Sequence, residues 1–417
     1  MSTRLFPRLS AIAAIALAAA CSSSTEPDSD KPGAALEALP RALTAGEQKV
    51  IGAANDFSFA LFRRLSAAQS DSNVFTSPLS ASMALGMAMN GAAGTTYDEM
   101  RATLGFGASA TETEIGESYK SLIALLRGLD PGVDFRIANS IWYHTGFPVD
   151  QGFIDRGRTW FDARASALDF ASPGAVSTIN DWVSTATAGK IPTILDRIED
   201  GQVMFLINAI YFKGSWRTRF DPSRTVTAPF HAVGGDQSAK LMRREGTMRW
   251  MQTADFEAVD LPYGNGAYAM TVVLPAAGKR VDDVAASLQA SAWTVWMGQF
   301  NDADVELQLP RFKLEWERKL IPDLQALGMR AAFIDGRADF SRMSAPSSQL
   351  FISLVKQKTY VDVNEEGTEA AAVTNVGVTL TSLPVRHQFI VDRPFVFVLR
   401  ERLSGTILFM GKITRLP

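Results

Sequence analysis

The ten residues from Val203 to Phe212, VMFLINAIYF, carry one polar side chain among them. A run this apolar at both parities, rich in β-branched and aromatic residues, suits a central strand covered on both faces. The single interruption, Asn208, then needs buried hydrogen-bond partners. A chain of 417 residues with 47% hydrophobic content can build the layers such a strand requires, as one large domain or two ordinary ones. Charged residues are 20% of the chain and nearly balanced, for a formal net charge of −3. No basic run or tail points to a phosphate track, so no nucleic-acid partner is expected.

The first 44 residues read differently from the rest. Arg4 and Arg8 precede an apolar run, Leu9 to Ala20, too short to span a bilayer. The run ends at Ala18-Ala19-Ala20-Cys21, and Cys21 is the only cysteine of the chain. This end resembles a bacterial lipoprotein signal, in which the cysteine becomes the lipidated first residue. It departs from that pattern at one place, with Ala18 where leucine is usual and Leu17 one residue further back. The resemblance implies a signal peptide over 1–21, an exported domain tied to the cell envelope by lipid on Cys21, and no intramolecular disulfide. Residues 22–44 begin SSSTEPDSDKPG, a polar, turn-prone composition expected of a flexible tether.

From Ala45 to Pro417 the pattern is that of one mixed domain. Val50, Ala54, Phe57, Leu61 and Leu65 recur at helical spacing within 47–67. Ser77-Pro78 opens a helix through Ala88, since proline is tolerated in a first turn. Thr96 to Glu99 and Thr111 to Glu114 both have capping-box spacing ahead of helices. Helical spacing returns over 153–161, 179–188, 281–297 and 319–327. Strands are expected over 135–143, 203–212, 269–274, 305–309, 351–363, 385–391, 395–400 and 406–412. Helices mostly precede strands, an α+β arrangement.

Enzyme signatures are missing from the sequence. There is no G-x-S-x-G elbow, H-E-x-x-H, Walker A loop or G-x-G-x-x-G fingerprint, and His144, His231 and His387 lie far apart. No cofactor and no metal are expected. Glu365 and Glu366, adjacent on the chain, point to opposite faces if extended and read as a solvated turn entry rather than an acid/base couple.

The segment that follows them, Asn364 to Pro384, reads NEEGTEAAAVTNVGVTLTSLP. Alternate residues from Thr368 give one uncharged face, Thr368, Ala370, Ala372, Thr374, Val376, Val378 and Leu380. The opposite face mixes polar and small groups, the period-two signature of a half-buried strand. Gly367 offers a pivot and Pro384 a stop. A permanent strand and an alanine/threonine loop both remain open on this pattern. A third possibility is a segment small enough to slide between two existing strands.

EEGTEAAAVT at Glu365 to Thr374 resembles the reactive-loop hinge of the serpins, the serine protease inhibitors. FIVDRPFVFVL at Phe389 to Leu399 is similar to the family signature just after that loop. NVFTSPLS (Asn73 to Ser80), LINAIYFKGSW (Leu206 to Trp216) and LQLPRF (Leu307 to Phe312) resemble further family segments in the expected order. The resemblance covers essentially everything after the tether. It implies the serpin fold, helices packed around three β-sheets with an exposed reactive-centre loop at about 365–384, in a monomer. It also implies suicide-substrate inhibition of serine, or alternatively cysteine, proteases: the protease cleaves the loop, becomes trapped as an acyl-enzyme, and is dragged away as the loop inserts into the central sheet.

On that reading the hinge comprises Glu365, Gly367, Thr368, Ala370, Ala371 and Ala372. The family spacing places the scissile bond at Thr381-Ser382. The loop is about two residues longer before Pro394 than is usual, which leaves Leu380 and Leu383 as alternatives. Threonine suits an elastase-like protease and leucine a chymotrypsin- or subtilisin-like one. The shutter beneath the central strands takes Ser77, Ser80 and Asn208, with Gln357 where histidine is common. Glutamine there can donate and accept but cannot charge near neutrality. The breach at the top of the sheet pairs Glu365 with Arg311 beside Trp216. Members that do not inhibit, serving as carriers or chaperones, are the alternative reading; their hinges tend to carry bulky, charged or proline residues. Inserting thirteen residues from Thr368 to Leu380 would make a strand of about 43 Å, stabilised by order ten kcal/mol.

Overall fold

The computed structural model describes Met1 and residues 34–344, 350–368 and 386–417. Nine α-helices are assigned among them. Helix α1 (Ala45–Ala68) is followed by α2 (Pro78–Met89), α3 (Gly94–Thr103), α4 (Glu112–Arg127), α5 (Gln151–Phe161) and α6 (Ala175–Ala186). The short helices α7 (Val281–Ser287), α8 (Ala290–Met297) and α9 (Ile321–Ala326) come later. The strands begin with β1 (Val74–Thr76), β2 (Val133–His144), β3 (Ala163–Leu168) and β4 (Met204–Ser215). A β-rich middle holds β5 (Val226–Ala232), β6 (Gly235–Gln252), β7 (Phe256–Pro262), β8 (Tyr268–Pro275), β9 (Asn301–Pro310) and β10 (Phe312–Lys319). The last are β11 (Lys356–Val363), β12 (Gly367–Thr368), β13 (His387–Ile390), β14 (Phe395–Glu401) and β15 (Ile407–Ile413).

These strands form two hydrogen-bonded sheets. One runs β10-β11-β12-β4-β2-β3. The other runs β1-β15-β14-β8-β7-β6-β9-β13, with β5 attached to β6. Two of the three expected sheets are continuous through β6, an 18-residue strand that pairs with β5, β7 and β9 along its length. The α+β architecture is as the sequence indicates.

Burial explains the apolar run of β4. Phe205, Ile207 and Ala209 pack with Ile179 and Val183 of α6 on one face. Ile210 and Phe212 join the main core on the other, where α2 lies. The five apolar positions of α1 are all buried, and its N-terminus carries a capping box between Thr44 and Glu47.

Four expectations change. The spacing at Thr96 to Glu99 does not cap a helix, because α3 already starts at Gly94. Those side chains instead hold a distant segment: Thr96 accepts from the Asp339 amide, and Glu99 from the amides of Arg330 and Ala331. The stretch 281–297 is two helices separated at Leu288 and Gln289. The strand expected over 351–363 begins only at Lys356. Finally, the boundary at residue 45 falls too late. The Leu36 amide donates to the Asn265 carbonyl at 2.9 Å, and Leu36, Leu39 and Leu43 pack on the core. Three leucines at spacings of three and four give this arm an apolar side to bury.

Strands β1, β3, β5, β6, β7 and β10 are absent from the sequence reading. In β10 the alternation was legible: Phe312, Leu314 and Trp316 are buried while Lys313, Glu315 and Glu317 are exposed.

Arg41 closes the arm onto α1 by donating to the carboxylate of buried Glu47. This hydrogen bond is the main reason the Glu47 carboxyl is lowered from 4.5 to about 2. A lowered pKa stabilises the fold above the unfolded value and loses that effect as pH falls through the folded one. The denaturation midpoint of the Glu47→Gln variant should therefore lie below the parent at pH 7. The gap should close progressively as pH drops from about 4.5 toward 2, which denaturant titrations at stepped pH would measure.

Candidate functional site: the slot between two strands of the six-stranded sheet

The hinge sequence folds back on β11 through a two-residue turn. Asn364 and Gly367 exchange backbone hydrogen bonds, with Glu365 and Glu366 between them. Gly367 has φ +155°, and a Cβ there would lie 2.1 Å from the Gly214 carbonyl oxygen. Both the backbone conformation and this approach call for glycine. The returning chain enters the sheet as β12: Thr368 stands opposite Val363 of β11, while Gly367 and Thr368 stand opposite Ser215 and Gly214 of β4. Thr368 is buried, and its hydroxyl meets the Tyr263 hydroxyl at 2.8 Å.

Below this rung, β11 and β4 share no ladder hydrogen bonds among the described residues. A cleft of about 830 Å³ lies along them, lined by Ile207 to Ile210 on one side, Lys356 to Lys358 on the other, and Ser80 and Leu85 of α2 beneath. Residues 369–385 are outside the described ones, and with them Ala370, Ala371, Ala372, Leu380, Thr381, Ser382 and Leu383. Cys21 is also outside them.

At the top of the slot the turn is held by its own carbonyls. Trp216 donates its amide to Glu366 and its indole N–H to Asn364, both at 2.8 Å, and the Phe220 amide donates to Glu365 at 2.9 Å. Trp216 stacks on Tyr263 at 4.4 Å between ring centres. The Glu365 carboxylate accepts from Arg311 Nε at 2.6 Å and from the Thr225 hydroxyl. Glu365 is 3% exposed, so it is not the solvated turn entry that its neighbourhood in the sequence suggests. Its partners come from 54 and 140 residues away, and no local pattern shows them.

Lower in the slot the predicted shutter residues meet. Ser80 Oγ donates to Asn208 Oδ1, and Asn208 Nδ2 donates to Asn139 Oδ1 at 2.6 Å. Ser77 Oγ donates to the Leu408 carbonyl at 2.8 Å. Gln357 uses both ends of its amide. Its oxygen accepts from the Thr76 hydroxyl at 2.5 Å and the Ser77 amide at 3.1 Å, and its nitrogen donates to the Ser77 carbonyl at 2.7 Å. The network thus joins β11 to the start of α2 without an ionisable group, as expected for glutamine in this place.

Sequence reasoning missed Asn139, Tyr263 and Arg244. Asn139 faces Asn208 in the β2–β4 register. Burial pushes the Tyr263 phenol well above its usual range, so it stays a neutral hydrogen-bonding partner for Thr368. Arg244 is buried, donates to the Thr218 carbonyl and lies 5.2 Å over the Phe220 ring, bracing the segment that grips the turn. Burial lowers its pKa to about 10. Nearby, Arg243 pairs with Glu306 at 3.0 Å and Arg249 lies 3.8 Å from Asp260. At the far root of the loop, Arg386 contacts both Asp304, at 3.1 Å, and Glu245.

Residues 52–416 match the family model described as serpin (serine protease inhibitor). The chain belongs to the serpin family. Human leukocyte elastase inhibitor is 32% identical over 372 residues, spanning 86% of this chain and 97% of that protein. Among solved structures, the thermophilic serpin tengpin in its native state superposes with a TM-score of 0.82 at 29% identity, over 91% of this chain and 98% of tengpin. Human thyroxine-binding globulin, solved with its hormone, superposes at 0.81 with 27% identity, over 89% and 100%. The serpin fold serves both inhibitors and carriers.

Removing the amide of Gln357 takes the partner from the buried Ser77 amide and the Thr76 hydroxyl, while the Ser77 carbonyl keeps the Ala81 amide. Gln357→Ala should cost about 1–3 kcal/mol, read as a lower thermal midpoint of the intact protein. An unchanged midpoint would show that this network does not hold the sheet.

Proposed function

We propose that this serpin inhibits serine proteases by trapping them as acyl-enzymes, with cleavage near Thr381-Ser382 and insertion of the freed loop between β11 and β4. The carrying observation is β12. Its two residues already lie between both strands, antiparallel to each, with the Thr368 side chain turned into the core. Continuing both ladders one residue per rung brings Thr374 opposite Asn208 on one side and Gln357 on the other. Thr374 shares the parity of Thr368, so its hydroxyl would arrive among the polar groups of the shutter. Val376 and Val378 would follow toward Met204 at the start of β4.

The chemistry asks little of the serpin itself. The protease serine attacks the carbonyl of the residue before the cut, and the peptide nitrogen leaves with a proton as a new amino terminus. The ester that remains ties the protease to the upstream half of the loop. Strand insertion over the eleven rungs from Gly214 to Met204 would move that ester by about 35 Å at 3.3 Å per residue. Each rung supplies hydrogen bonds worth roughly 1 kcal/mol net, and each buried valine about 1.5–3 kcal/mol. The intact form is then the less stable one, held by a kinetic barrier.

Elastase-like enzymes are the first targets to try, because threonine suits a small specificity pocket and because leukocyte elastase inhibitor is a relative. We assign the domain to the bacterial envelope, anchored by lipid on Cys21. Incubation with an elastase-like protease should give an SDS-resistant adduct of the summed masses, minus the released fragment. Loop cleavage without an adduct would place the protein with the carriers. Thr368→Arg forces a charge into the sheet core and should abolish the adduct while leaving the loop cleavable; an equally effective variant would exclude insertion. The loop-cleaved protein should also melt at a higher temperature than the intact one. In cells, Cys21→Ala should lose fatty-acid labelling and membrane fractionation together.

A further inference from the structure

The arm that leads back to Cys21 is docked beside the hinge. Its Leu36 amide donates to the Asn265 carbonyl, in the turn joining β7 to β8. One residue earlier, the Gly264 amide donates to the Ser215 carbonyl at 2.9 Å, and Ser215 is the residue opposite Gly367. The same turn is tied to the segment gripping the hinge, since the Arg217 amide donates to the Pro262 carbonyl at 2.8 Å and its guanidinium to the Gly264 carbonyl at 3.0 Å. Three links therefore separate Leu36 from the root of the reactive loop. The arm is not hung from a single bond: Leu36, Leu39 and Leu43 pack on the core, and Arg41 reaches both Glu47 and Ser121.

We propose that this arrangement turns the reactive-loop pole toward the membrane that holds Cys21, so that the bait works at the lipid surface against proteases bound or active there. The inference rests on the lipid-anchor and inhibitor readings above and adds an orientation to them. Fifteen residues lead from Cys21 to Leu36. On the tether reading of their composition, a chain of that length would have a root-mean-square span of about 20 Å and a limit of about 54 Å. The opposite end of the six-stranded sheet, near Asp200 before β4, lies a further 36 Å or so from Ser215 along the strand. Bringing that end to the lipid with the loop pole outward would need a tether stretched well beyond its average span. The loop pole, at the arm's own docking point, needs no stretch. An anchored protease would share that surface layer, and its effective concentration at the loop would rise accordingly.

The full lipidated chain can test this. With Cys21 blocked by lipid, an introduced cysteine is the only free thiol. Ser223→Cys marks the loop pole, two residues from Thr225, whose hydroxyl bonds Glu365. Asp200→Cys marks the opposite pole, and both positions are exposed. Each variant is dye-labelled and reconstituted in vesicles whose headgroups carry an acceptor. With the poles separated by about 36 Å, transfer efficiency should be at least about twofold higher from Ser223→Cys. Adding Leu36→Asp and Leu39→Asp should release the arm and shrink that difference. Equal transfer from the two sites, or more from Asp200→Cys, overturns the orientation while leaving the anchor intact. A difference that survives release of the arm overturns the arm as its cause. Failure of the lipidated chain to float with vesicles overturns the anchor and this proposal together.

Discussion

Thr368 is built into two ladders at once, opposite Gly214 on one strand and Val363 on the other. Its hydroxyl meets that of Tyr263, and a Cβ on its neighbour Gly367 would run into the Gly214 carbonyl oxygen. The first rung of a new strand is the hardest to form, because the chain must be turned and its ends brought together before hydrogen bonds accumulate. Here the turn at Glu365 and Glu366 is held by Trp216, Phe220, Arg311 and Thr225. Each further residue can then add bonds on both sides. The proposed inhibitory cycle is the extension of that rung, and the direction and register of insertion follow from it.

In the proposed cycle, extension has to pass the polar floor of the slot. Asn208, Asn139, Ser80, Gln357, Ser77 and Thr76 satisfy one another, and buried polar groups in a low-dielectric site are costly to leave unpaired. Asn208 on β4 and Gln357 on β11 are both tied to the first turn of α2, at the level where an incoming Thr374 would meet them. A hydroxyl arriving there can donate and accept, so the polar groups exposed by opening regain partners on closing. Glutamine at 357 makes this exchange without a titrating group.

Legibility in the sequence followed locality. The apolar run of β4, the face of α1 and the proline start of α2 are short-range patterns, and each stands where its pattern indicates. The expected inward parity at Thr368 agrees with its burial. Long β6 escaped notice because its arginines and glutamate, Arg243, Arg244 and Glu245, interrupt any apolar alternation. Thr96 to Glu99 misled because threonine and glutamate at that spacing serve equally to hold an incoming segment. The arm misled in the opposite sense: its polar beginning masks Leu36, Leu39 and Leu43, which pack on the core, and its tie to Asn265 lies more than two hundred residues away.

The family segments placed hinge, shutter and breach in order, and Glu365 with Arg311 was read from that resemblance alone. Local chemistry argued for a solvated turn instead, and only the folded chain, by bringing Arg311 and Thr225 to one carboxylate, makes the buried placement tolerable. By itself the sequence determined periodicity, the Thr111 cap, the glycine pivot and the uncharged face read from Thr368 onward, because these depend on neighbours along the chain. The tertiary structure decided which strands flank the slot, how far the hinge has entered it and where the N-terminal arm is tied, because each depends on groups that meet only after distant segments pack.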